Sequence, residues 1–104
     1  MAARRKTLKV VWDITAQARL KGIIDALAER YSAKFIEHIK AEIERHTLYV
    51  GRQPKMFPID SLKTNNDGSY RYFIIPAIRI AYKIEPDIII ILRVRHQSHE
   101  PLEY

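Results

Sequence analysis

Four arginines and a histidine near the end of the chain, Arg71, Arg79, Arg93, Arg95 and His96, are the residues best suited to anion chemistry. Guanidinium groups clamp phosphates and carboxylates bidentately, and several together stabilise the charge that develops on a transferring phosphoryl group. A histidine beside them would hold or pass a proton near neutral pH. The competing reading is a solvated strand face in which these arginines form cross-strand ion pairs, with Glu85 or Asp87 as partners. Lys55 and Arg52 add basic groups in a proline-flanked stretch, but no crowd of lysines accompanies them.

Other chemistries are poorly supplied. The chain has no cysteine, which excludes disulfides, zinc–thiolate sites and thiol nucleophiles. His96, His99 and Glu100 have the spacing of a helical turn, but Pro101 opposes a helix there and a further ligand is lacking, so no metal and no cofactor are expected. His38 and His46 are assigned to surface or core packing. There is no glycine-rich phosphate loop, HExxH or Ser-His-Asp pattern.

The residues with chemistry sit on three strand-like runs, 69–75 (SYRYFII), 78–84 (IRIAYKI) and 88–96 (IIIILRVRH), separated by Pro76-Ala77 and Glu85-Pro86-Asp87. Alternation predicts a half-buried antiparallel meander. Arg79 shares parity with Ala81 and Lys83. Arg93 and Arg95 share parity with Ile89 and Ile91, and His96 with Ile88, Ile90, Leu92 and Val94. Tyr82 falls on the apolar parity and is read as core. Tyr70 and Tyr72 share a face with Ile74, where cross-strand packing is the default and base stacking the alternative.

Upstream, residues 6–12 predict a first strand, with Asp13 or Thr15 as N-cap of a helix carrying Leu20, Ile23, Ile24, Leu27 and Tyr31 at three- and four-residue spacing. Ser32 caps a second helix with Phe35, Ile36, Ile39, Ile43, Thr47 and Val50 on one side and Gly51 at its C-cap. Two helices joined this tightly form an antiparallel hairpin. Residues 57–62 are expected to fold back on the strand after the Asp67-Gly68 turn. The whole predicts an α+β fold: an N-terminal strand, an antiparallel helical hairpin and a C-terminal antiparallel β-meander.

At 104 residues a single domain over 1–104 is expected, with 1–6 as a disordered basic arm. The formal charge is +6, but Arg4, Arg5, Lys6 and Lys9 account for four of those charges, so the remainder is nearly balanced. Any anion-binding surface must therefore come from local clustering. No apolar run approaches the roughly 18 residues of a membrane span, and the basic start lacks a signal peptide's hydrophobic stretch, so a cytoplasmic location is expected.

The order of elements, with Val11-Trp12 closing the first strand, Thr15-Ala16-Gln17-Ala18 opening the first helix, Arg71 after the turn, and the blocks IRIAYKI and IILRVRH, resembles the RelE/ParE superfamily of bacterial type II toxins. The resemblance implies a growth-inhibiting toxin, a ParE-like plasmid stabilisation protein in one branch of that superfamily. It also implies a hetero-oligomer with a cognate ParD-like or RelB-like antitoxin whose acidic segment wraps over the toxin. Members split between ParE-like contact with DNA gyrase and RelE-like, metal-independent cleavage of mRNA on the ribosome. Few loop lysines and no His–Tyr pair at the end of the last strand favour the gyrase-directed, non-enzymatic branch. In that branch Arg71, Arg79, Arg93 and Arg95 contact antitoxin or target. In the endoribonuclease alternative Arg71, Arg93, Arg95 and His96 would be catalytic. A plain nucleic-acid-binding module, supported by the basic arm, is a third reading.

Overall fold

A computed structural model of the chain describes residues 7–97. The elements run β1 (Lys9–Trp12), α1 (Ile14–Ala28), α2 (Ala33–Arg52), β2 (Tyr70–Ile75), β3 (Ile78–Ile84) and β4 (Ile88–His96). One sheet has the order β1-β4-β3-β2, with β1 parallel to β4 and the other pairs antiparallel. The arrangement is the expected α+β fold, with the first strand returned to the sheet beside the last.

The helix boundaries follow local chemistry. Asp13 is the N-cap of α1, its carboxylate accepting the Thr15 N–H at 3.0 Å. Ser32 Oγ accepts the Phe35 N–H at 3.1 Å and starts α2. Ala16, Ile23 and Leu27 of α1 and Ile36, Ile39, Ile43 and Val50 of α2 are buried in one cluster with Phe73, Ile75, Ile78, Ile80, Tyr82, Ile89, Ile91 and Val94 of the sheet. The helices thus cover one face of the sheet. Lys21, Asp25, Glu29, Lys34, Glu37, Lys40 and Glu44 form the exposed helical surface. Tyr31, expected on the apolar stripe, is instead 52% exposed and stacks on Phe35 just outside α1.

Gly51 is not the C-cap. It is the penultimate residue of α2, and Gln53 follows as the cap. A Cβ at Gly51 would lie 2.8 Å from the Leu8 carbonyl oxygen, and the Leu8 N–H donates to the Gly51 carbonyl at 2.9 Å. The glycine marks where β1's approach crosses the helix, a packing reason rather than a conformational one.

The segment after α2 returns as an extended arm along the β2 edge. Ile59 bridges Arg71, the Tyr72 N–H donates to the Pro58 carbonyl, and the Asp60 N–H donates to the Tyr70 carbonyl. Asn66 fastens the following turn, its amide donating to the Asp60 and Tyr70 carbonyls at 3.0 and 2.8 Å. Gly68, at φ +96°, closes that turn.

Strict alternation fails in β4. Ala81 pairs with Arg93 but Tyr82 pairs with Ile91, so Leu92 is an extra residue, a β-bulge. Ile89 and Ile91 therefore share the helix-covered face with Val94 and His96. Arg93 and Arg95 lie on the opposite face with Ile88 and Ile90. This corrects both parity groupings expected for β4: one inserted residue turns every later side chain over.

Candidate functional site: the arginines of the sheet

The sheet sends the four candidate arginines to different places. Arg71, opposite Tyr82, lies on the helix-covered face at the start of β2. Its guanidinium donates to the carbonyls of Gly68, Lys55 and Phe57 at 3.0, 3.1 and 2.9 Å, tying the arm to the strand. Arg79 lies on the opposite face but is only 7% exposed. It meets the fully buried Asp60 through contacts of 2.9 and 3.4 Å, and its guanidinium stacks 3.9 Å above the centre of the Tyr72 ring. Asp60 was not foreseen as its partner. It lies 19 residues earlier in a proline-flanked stretch with no periodicity to betray an inward side chain.

Arg93 is exposed and Arg95 half-buried, and with Arg19 of α1 they line an open cleft of about 300 Å³ between the start of α1 and the end of β4. Thr15, Ala16, Leu92 and Val94 complete it, and no acidic side chain among the described residues lines it. Arg95 sits opposite Arg79 across the β3–β4 ladder. Like charges so placed repel, so the neutralisation of Arg79 by Asp60 permits Arg95 to stand beside it. Arg19 was also missed by sequence reasoning, since a lone arginine on an amphipathic helix reads as solvated surface.

His96 pairs with Ile78, at the opposite end of β3 from Tyr82, Arg71's neighbour. Arg71 and His96 are thus separated by two strand spacings, about 10 Å, and four residues along the strand, about 13 Å. They do not converge on one phosphate. Arg93 and Arg95 project from the other face of the sheet. His99 and Glu100, considered with His96 as metal ligands, lie outside the described residues, as does the basic arm 1–6. Among the described residues no three His, Asp or Glu side chains are grouped as metal ligands would be.

The other candidates have structural employment. His38 is exposed, while His46 is half-buried on α2 and stacks on Phe73 at 5.0 Å. The His46 Nδ1 lies 2.7 Å from the Glu42 carbonyl oxygen. Tyr82 is core, its hydroxyl donating to the Pro54 carbonyl at 2.6 Å, and burial pushes its pKa well up. Tyr72 carries Arg79, and Lys63 lies 4.7 Å from the centre of the Tyr70 ring. Glu85, hydrogen-bonded to Lys83 at 2.9 Å, raises the lysine pKa, and the Ser69 hydroxyl lowers that of Asp67. Lys55 and Arg71 line a second cleft of about 220 Å³ with Asp67, Gly68, Ser69 and Ile84.

A helical hairpin thus packs on one face of a short sheet, and Arg93 and Arg95 stand with Arg19 at one edge of it. Residues 10–101 match the family model of the ParE toxin of the type II toxin–antitoxin system parDE, and the chain belongs to that family. It is therefore a toxin of a type II toxin–antitoxin system, and a cognate antitoxin is its implied partner. No curated protein matches the chain. No helix among the described residues is long and apolar enough to cross a membrane.

Proposed function

We propose that this toxin arrests growth by protein–protein contact with DNA gyrase, and that an acidic ParD-like antitoxin segment neutralises it by covering the same surface. The contact surface is the cleft of Arg19, Arg93 and Arg95. The observation that carries this reading is the separation of the arginines. Arg71 is tied to backbone carbonyls and Arg79 to buried Asp60, while Arg93 and Arg95 line a cleft with no acidic side chain among its described residues. Such a surface suits carboxylates of a partner, whose encounter and orientation it would steer. Reversal of charge at Arg79 would strike the core, so the contact is tested at Arg93 and Arg95.

A RelE-like endoribonuclease is the second reading. It is favoured by Lys55 and Arg71 lining one cleft and weakened by the distance from there to His96. Expression of the chain alone in bacteria, followed by DNA supercoiling and mRNA integrity, separates the two. Arrest with broken or relaxed DNA and intact transcripts is expected. Transcripts cut at ribosomes with supercoiling preserved, or no arrest, would overturn the gyrase reading.

A further inference from the structure

β1 is an outer strand of the sheet, and its main chain alternates between two directions. The Asp13 N–H donates to the Ile91 carbonyl at 2.8 Å, so odd-numbered residues here turn towards β4. The Leu8 N–H points the other way and donates to the Gly51 carbonyl of α2 at 2.9 Å. Between these two, Val10 and Trp12 turn both N–H and C=O outward, to a side on which no described strand pairs with them. A cleft of about 480 Å³ runs along this edge, lined by Val10 and Trp12 of β1 and by Glu44, Thr47 and Leu48 of α2. Leu48 is 50% exposed there.

We infer that β1 pairs with β1 of a second copy of this chain, antiparallel about a two-fold axis through Val11, so that the two sheets join into one. The register follows from which main-chain groups are open. With Val11 against the partner's Val11, Val10 stands opposite the partner's Trp12, and each outward N–H of these residues meets an outward carbonyl. Centring on Val10 instead would set Trp12 against the partner's Leu8, whose N–H is already given to Gly51. The Val11 register also brings the exposed Lys9 opposite the partner's Asp13. That charge complementarity, repeated by the two-fold, selects a second copy as the occupant, where a lysine on a short edge otherwise guards against pairing. Val10 and Trp12 pack against the core on the helix-covered face, so the partner's Val10 and the partner's Trp12 enter the cleft beside Leu48. An edge of four residues is short, which places this dimer among weak, transient contacts. The inference depends neither on gyrase nor on an antitoxin.

The test uses the full chain, isotope-labelled, over about 10 to 500 μM, a range that spans weak self-association. Sedimentation should show a reversible monomer–dimer equilibrium, and hydrogen exchange at the Val10 and Trp12 amides should slow at least tenfold as the dimer fills. Val10→Pro removes an outward N–H from each copy without touching the β1–β4 ladder. Lys9→Glu leaves the main chain intact and sets a carboxylate against the partner's Asp13. Each should weaken dimerisation at least tenfold, and Lys9→Glu should do so with the urea midpoint of the dilute chain unchanged, which keeps the test decisive if Val10→Pro fails to fold. A monomer at every concentration, a dimer of undiminished strength in Lys9→Glu, or unchanged exchange at Val10 and Trp12 would overturn the self-pairing. Protection of these amides only when a different protein is added would give the edge to another occupant and overturn it equally.

Discussion

Asp60 has no exposed surface, and its carboxylate meets the Arg79 guanidinium, which is itself held over Tyr72. A buried pair of this kind costs desolvation on both sides, so its net contribution is small while the loss of one partner is severe. Asp60→Asn leaves an uncompensated buried guanidinium and should destabilise the fold by about 3–5 kcal/mol, read as a fall in the urea midpoint. Asp60→Leu with Arg79→Met should recover most of that loss. A single variant within about 1 kcal/mol of the parent would contradict the account of the pair. The sequence placed Arg79 on its correct parity with Ala81 and Lys83, because β3 is regular. It did not reveal that this face is closed there, because the partner that closes it comes from an aperiodic loop. Arg93 and Arg95 were singled out as candidate contact residues, yet their strand neighbours were misassigned. The bulged residue is a leucine, and nothing in its type announces an insertion.

At the scale of elements, the arm between α2 and β2 is fixed by polar contacts more than by apolar burial. The three carbonyls bound by Arg71 and the amide of Asn66 hold it against β2. The hairpin is placed differently, through a close crossing of α2 and the chain leading into β1. Gly51→Ala would force a Cβ within 2.8 Å of a backbone oxygen that cannot swing aside. A cost of about 1–3 kcal/mol is expected, measurable as a lower denaturation midpoint, and an unchanged midpoint would show that β1 is free to shift. Both helices, their caps at Asp13 and Ser32 and the three C-terminal strands were readable from period and capping chemistry. The role of Gly51 was not. A glycine near a helix end signals a cap by default, and only the tertiary crossing with Leu8 gives it another purpose.

For the whole molecule, helices cover one face of the sheet, while on the other face Asp60 closes over Arg79 and Arg93 stays exposed. The excess positive charge of the chain is concentrated before residue 10, so the proposed pull of the cleft on an anionic partner would come from local grouping and not from net charge. The proposed contact with gyrase is made by Arg93 and Arg95. Its most direct test is inhibition of purified gyrase supercoiling by the chain and by its Arg93→Glu, Arg95→Glu double variant, after matching their urea midpoints. Inhibition by the parent and an at least tenfold weaker effect of the variant are expected, equivalent to about 1.4 kcal/mol of lost contact. Equal inhibition by both, or none by the parent, would contradict it.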